Sequence, residues 1–327
     1  MSRIGILGVA HLHVDAYVPA LRELGAEVVG AWDHDAERGA RWAAGRGIPF
    51  FAERGRLLDA LDGVVVASET VHHRGDVEAA AAAGAAVLCE KPLATTREDS
   101  AAIVEACHAA SVTLMTAFPA RFAPAMRHLR DLVLAGELGR VRAFSGTNQS
   151  VMPMRDRAWF VDPALAGGGA IMDHVVHLAD LYSWMLEADP LTAYAVANRI
   201  VHAETVTVET SGLVMLTYPG EVFASIDCSW NRPEDYPSWG GLALSLIADG
   251  GTVEVDPHRQ RLVQFGGGRD YSWRPWGLDT SRLMIGEFLD AIADGRPPLV
   301  TGEDGDRATR VALAALESIR TGDAETC

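Results

Sequence analysis

The chain has 327 residues, enough for two domains with a core each, and about half of them are apolar, an ordinary globular composition. A net charge of −16 argues against nucleic acid as a partner, since a phosphate backbone needs a basic face. Four scattered cysteines (Cys89, Cys107, Cys228, Cys327) form no CxxC pair, so neither a disulfide framework nor a thiolate zinc site is indicated. The opening apolar run is too short, and too soon broken by His and Asp, for a signal peptide or a spanning helix. A cytoplasmic protein with no membrane partner is expected.

In chain order, RIGILGV (3–9) is a short β-branched run ending in glycine and predicts a buried strand. Residues 13–24 place Val14, Tyr17, Val18 and Leu21 on one helical face, and Gly25 stops the helix. EVVGAWD predicts a second strand ending at Asp33, followed by a polar helix over 35–46 and a short strand at IPFF. LDGVVVAS (61–68) is a third strand, 73–84 a helix, and AAVLCEK (85–91) a fourth strand. The next helix has Thr96 as its N-cap and Glu98 and Asp99 near its positive end, and VTLMTAF follows as a fifth strand. Strands alternating with helices through short links predict an α/β, doubly wound parallel sheet of the Rossmann type over residues 1–120.

The pattern then changes. A helix over about 123–135 leads to an alternating run at 139–150, a loop around DRAWFVDPALAGGG, and a long helix AIMDHVVHLADLYSWML. From 191 onward come β-rich runs punctuated by PG, DG and GG, then two helices near 281–294 and 304–321. Residues 121–327 are therefore expected to form an α+β domain on a large, mainly antiparallel open sheet.

After the first strand a dinucleotide site asks for G-x-G-x-x-G; here those places hold Gly8, Ala10 and His13. Asp33 follows at the end of the second strand. Its carboxylate can accept from both ribose hydroxyls of NAD and would repel a 2′-phosphate, and no arginine adjoins it in sequence, so NAD is expected over NADP.

Lys91 is the only lysine in the chain; every other basic residue except histidine is arginine. Arginine keeps its proton at any accessible pH, whereas lysine can be moved to where it exchanges one, which points to chemistry at Lys91.

These features together resemble the Gfo/Idh/MocA oxidoreductases, the family of glucose–fructose oxidoreductase and inositol dehydrogenase. The family's P-N-x-x-H stretch is represented here by Glu69–His73, in which only His73 matches. E-K-P matches in full at Glu90, Lys91 and Pro92, R-[FY]-x-P at Arg121, Phe122 and Pro124, and GGGxxxDxxxHxxD at Gly167 to Gly169, Asp173, His177 and Asp180. The glycine-poor turn and its His11-x-His13 depart from the pattern.

The resemblance implies an NAD-dependent dehydrogenase acting on a secondary alcohol of a sugar, cyclitol or sugar acid. Lys91, Asp173 and His177 would form its acid–base group, contributed by both domains across a cleft. An imidazole titrates near neutrality, which favours His177 as general base, and Lys91 would stabilise the developing alkoxide. The cofactor would be lined by Gly8, Val9, Ala10, His11, Leu12, Asp33, His34, Ser68, Thr70, His73, Glu90 and Lys91. The substrate would meet Lys91, Arg121, Trp159, Asp173, His174 and His177. Trp159 is the aromatic best placed for a sugar face, with Trp230, Trp239, Trp273 and Trp276 left for an interface.

A homodimer or homotetramer joined through the second domain's sheet is implied, since relatives pair in that way. His11, His13, His174 and His177 with Asp173 form a set a divalent metal would accept. Side chains in a phosphate-binding turn more simply line the cleft or pack on the cofactor, so no metal is expected. Two other readings stay open: a redox-neutral glycosidase that uses NAD transiently, and a ligand-sensing protein that kept the fold without the catalysis.

Overall fold

The computed structural model describes residues 1–153, 155–236, 238, 240–257, 261–265, 271–275 and 278–327, with the side chains of 155–156, 261–265 and 271–275 outside the description. Two compact units emerge. The first comprises Met1–Pro119, Arg155–Gly167 and Thr280–Thr309; the second comprises Ala120–Met154, Gly168–Asp279 and Arg310–Cys327.

The first unit alternates strand and helix: β1 (Arg3–Leu7), α1 (Val14–Glu23), β2 (Glu27–Trp32), α2 (Ala36–Ala44), α3 (Arg54–Leu58), β3 (Gly63–Val66), α4 (His73–Ala82), β4 (Ala86–Cys89), α5 (Arg97–Ala110) and β5 (Leu114–Thr116). The strands pair in the order β2-β1-β3-β4-β5, all parallel. β3 and β4 are buried along their whole length, as strands covered on both faces must be. Their side chains join Leu57, Leu61, Val77, Ile103 and Cys107 in one apolar core. The IPFF segment, expected as a strand, contributes only an isolated parallel bridge between Phe50 and Ala31.

The second unit begins with α6 (Pro124–Leu134), with Pro124 in its first turn, where a missing N–H costs nothing, and β6 (Val141–Val151). The segment expected as a loop then holds a short helix, α7 (Pro163–Ala166), which belongs to the first unit. The second unit continues with α8 (Ala170–Leu186), β7 (Thr192–Asn198), β8 (Ser211–Thr217), β9 (Phe223–Arg232), β10 (Leu242–Ala248), β11 (Gly251–Val255), β12 (Arg261–Phe265) and β13 (Tyr271–Pro275). α9 (Thr280–Asp294), α10 (Gly302–Thr321) and β14 (Glu325–Thr326) close the chain.

Seven strands form one sheet in the order β11-β10-β6-β9-β8-β7-β14. Its pairings are antiparallel except at the centre, where β6 and β9 run parallel. That parallel pair departs from a hairpin reading of the β-rich half, as do the long-range pairings of β6 with β10 and β7 with β14. The alternation along β8 (Gly212, Val214 and Leu216 buried, Leu213 and Met215 exposed) marks a sheet covered on one face only. α8 covers it: Tyr182 donates to the Ser225 carbonyl, and a Cβ on Gly146 would lie 2.2 Å from the Tyr182 hydroxyl.

Candidate active site

In the first unit the turn after β1 is tied down by backbone. Gly8 sits at φ +79°, and a Cβ there would lie 2.4 Å from the Ser68 backbone, so the position requires glycine. The Gly8 N–H donates to the Trp32 carbonyl and the His11 N–H to the Ala67 carbonyl, fastening the turn to the ends of β2 and β3. The Asp33 carboxylate accepts from the Val9 N–H at 2.6 Å and from the Asp35 N–H at 2.7 Å.

Asp33 also accepts from Arg38, at 2.7 Å from Nη2, while Arg38 Nη1 reaches Glu69 at 2.5 Å. The absence of an arginine next to Asp33 in sequence therefore does not hold in space, because the first turns of α2 bring position 38 back over position 33. Next to it, His34 stacks on His72 with ring centroids 3.9 Å apart and contacts Asp76 at 3.2 Å. Ser68 donates to Asp76 at 2.7 Å, and Thr70 is buried in the turn that follows β3.

This arrangement fits a dinucleotide. A carboxylate stands at the end of β2, a glycine allows the tight turn, and His13 gives α1 no side-chain cap. Among the described residues, the N–H groups of Ala10 and Leu12 in this turn have no backbone acceptor. Donors before the positive end of a helix suit a pyrophosphate.

Lys91 leaves β4 at its C-terminal end and is only 3 % exposed; its peptide bond to Pro92 is cis. Two buried neighbours brace this turn. His73 places Nδ1 at 3.1 Å from the Pro92 carbonyl and Nε2 at 3.2 Å from the Ser68 carbonyl, so its ring joins the E-K-P turn to the end of β3. Both ring nitrogens of His73, expected at the cofactor, thus face main-chain oxygens. Burial pushes its imidazole below the ordinary value.

Glu90 accepts from the Tyr17 hydroxyl at 2.6 Å, stands 3.1 Å from His13 Nδ1, and takes the Lys91 N–H on its other oxygen. Burial alone would raise this carboxyl, but His11, His13 and Lys91 hold it well below the usual carboxylate range. Trp159, expected to face substrate, is 8 % exposed; its indole donates to the Ala10 carbonyl and stacks on Phe160.

In the second unit Gly169 precedes α8, and a Cβ on it would lie 2.1 Å from the Glu209 carbonyl. The Glu209 carboxylate accepts from the Gly169 and Ile171 N–H groups and so caps the helix from outside its own sequence. Burial raises its pKa despite those bonds. Asp173, in the first turn, accepts from the Trp230 indole at 2.9 Å and lies 3.1 Å from His174 Nε2. His174 is fixed in turn by the Asn148 carbonyl at 2.8 Å. His177 is one turn further on and half-buried, the most accessible of the three.

Arg121, expected to meet substrate or cofactor, is 1 % exposed and forks onto Asp180 with Nε 2.8 Å and Nη2 2.5 Å from its two oxygens. The R-F-x-P and final Asp of the GGG motif are thereby one buried ion pair. Trp230, assigned to an interface from sequence, is fully buried against Asp173. Trp239 and Trp276 lie outside the described residues, as does the Trp273 side chain. The roles of Arg38, Tyr17, Glu209 and Trp230 escaped sequence reasoning: the last three act on partners far along the chain, and Arg38 folds back five residues to Asp33 through the turn of α2. Only Tyr17 left a signal, as the one hydroxyl on the buried face of α1.

Residues 2–118 match a family model described as an oxidoreductase family with an NAD-binding Rossmann fold, and residues 126–254 match a GFO/IDH/MocA C-terminal domain. The 1,5-anhydro-D-fructose reductase of Ensifer adhaerens is 30% identical over 99% of this chain and 98% of its own length. A D-xylose 1-dehydrogenase (NADP(+)) of Haloferax volcanii is 30% identical over 98% of each. Among solved structures, GenD2 from gentamicin A biosynthesis, in complex with NAD, superposes with a TM-score of 0.89 over 100% of this chain and 96% of its own, at 22% identity, a likeness of fold.

Two outcomes are expected from the braces. Arg121→Ala leaves a buried Asp180 charge uncompensated and should cost about 4 kcal/mol in urea unfolding; a loss below about 1 kcal/mol contradicts a structural pair. The lowered imidazole of His73 works against folding as pH falls. Below about pH 6.5 the unfolded chain binds a proton that the buried ring resists, so stability declines with acid. His73→Gln should make that decline shallower by up to about 1.4 kcal/mol per pH unit. Identical slopes for the two proteins would remove His73 as a source.

Proposed function

This chain belongs to the GFO/IDH/MocA family of oxidoreductases and carries its NAD-binding Rossmann fold, and from that premise we propose that it oxidises a secondary alcohol of a sugar, cyclitol or sugar acid. The observation that carries the proposal is Lys91, the chain's one lysine, buried at the C-terminal end of β4 and braced there by His73 and Glu90. Ligands of doubly wound sheets bind at that edge. Burying a lysine is costly unless it is paired, and a chain that uses arginine everywhere else keeps its one lysine at this edge.

Bound NAD supplies the hydride acceptor. In the proposed division of labour, the Lys91 ammonium donates to the reacting oxygen and stabilises the charge that grows on it as the proton leaves. His177, the accessible imidazole of α8, takes the hydroxyl proton. Asp173 holds the reacting group in place, its own orientation set by Trp230 and His174. Asp33 accepts from the adenosine ribose, which supports NAD, while Arg38 beside it removes the second ground for NAD over NADP.

The relatives named as a 1,5-anhydro-D-fructose reductase and a D-xylose dehydrogenase support a carbohydrate substrate. Steady-state NADH formation against sugars, inositols and aldonic acids, repeated with NADP, tests the reading. One substrate class is expected to turn over with NAD. Lys91→Arg should bind NAD and keep its Tm while kcat falls at least about 100-fold; near-normal kcat would sink the assignment.

A homo-oligomer is part of the same proposal. The sheet face away from α8 exposes Tyr194, Val196, Leu213, Met215 and Phe223 on adjacent strands, an apolar patch of the kind that marks an interface. Leu213→Asp should shift the light-scattering mass toward a single chain without loss of helix content. An unchanged mass would place the interface elsewhere.

A further inference from the structure

We infer that His11, His13 and Glu90 form a binding site for a divalent transition-metal cation in the turn between β1 and α1. His11 Nδ1 lies 3.6 Å and His13 Nδ1 3.1 Å from the same Glu90 oxygen, Oε1, and the candidate ligand atoms all lie within 4.8 Å of one another. With metal–ligand bonds near 2.1 Å, the edges of a tetrahedral site are about 3.4 Å. The two edges to Glu90 straddle that value, and the imidazole-to-imidazole edge lies within 4.8 Å, so side-chain shifts bring the three donors to coordination.

The donor chemistry points the same way. In its neutral form His11 accepts the His13 N–H on Nδ1 at 3.3 Å, the same nitrogen that stands 3.6 Å from Glu90 Oε1. A bound cation would draw the imidazole and carboxylate donors together at the expense of that one long hydrogen bond. Two imidazoles and one carboxylate are the ligand set of open, borderline-metal sites, which leave a position for water or another oxygen.

Outer partners hold the carboxylate ligand, as metal sites require. The Tyr17 hydroxyl donates to Glu90 Oε1 at 2.6 Å, and the Lys91 N–H takes Oε2, which leaves Oε1 turned to the imidazoles. The His11 ring packs 5.3 Å from Phe160 and 4.4 Å from His13, and is almost wholly buried, while His13 keeps a partly exposed edge through which an ion enters. This set differs from the one weighed from sequence, which drew its carboxylate from Asp173; Glu90 takes that place.

The test is a Co²⁺ titration of untagged, EDTA-treated protein without dinucleotide or substrate, so its outcome does not depend on the dehydrogenase reading. One Co²⁺ per chain is expected, with the visible absorption of a low-coordinate site. His13→Ala and Glu90→Gln should each weaken Co²⁺ binding at least tenfold while their circular dichroism and Tm show a folded chain. Non-stoichiometric binding, or full binding retained by both folded variants, would overturn the site and leave surface histidines as the source of any signal.

Discussion

A carboxylate and an ammonium, adjacent in sequence and both removed from water, sit at the end of β4, and the first unit is arranged around keeping them there. A buried charge persists only with partners on every side. Tyr17 from α1, His11 and His13 from the turn before it, and the Lys91 main chain supply those partners for Glu90. His73 from α4 holds the two residues that follow Lys91 by their carbonyls. Two other stretches of chain, the turn and helix after β1 and the start of α4 after β3, therefore converge on the turn that follows β4.

The second unit solves a related problem at the start of α8. Helix N–H groups at an N-terminus need acceptors, and the glycine run offers none of its own. Glu209 fills that need, and Gly169 is small because the Glu209 main chain passes where a Cβ would be. A carboxylate in the first turn also interacts favourably with the helix dipole. Asp173 is in that position, with its oxygens directed by Trp230 and His174. The spacing of Asp173, His177 and Asp180 on one helix thus combines different jobs. Asp180 is spent on Arg121 and holds the fold, while His177 retains access to solvent.

The turn at 8–13 shows how a departure from a motif can be read physically. A glycine at its second place would let a phosphate approach bare backbone, and one at its third would let the helix pack closely on the strand. Here Ala10 and His13 stand there, and the histidines instead turn inward to Glu90. The turn keeps the one glycine that backbone geometry demands, Gly8, and gives the other places side chains with chemistry of their own.

Periodicity and local chemistry in the sequence were enough for the parallel five-stranded sheet, the helix that carries Asp173 and His177, and the singular Lys91 at a strand end. These depend on short-range rules: buried strands run apolar, helices repeat every 3.6 residues, and a lone lysine is visible by counting. Tertiary structure alone decided that Arg121 pairs with Asp180, that Arg38 reaches Asp33, that Trp159 closes over Ala10, and that Glu209 caps α8. It also decided that β6 and β9 run parallel within an otherwise antiparallel sheet. Each of those facts joins residues through a hydrogen bond or ion pair whose partner is set by chain path. A charged or polar side chain in a sequence declares only that it needs a partner, and the fold selects which one.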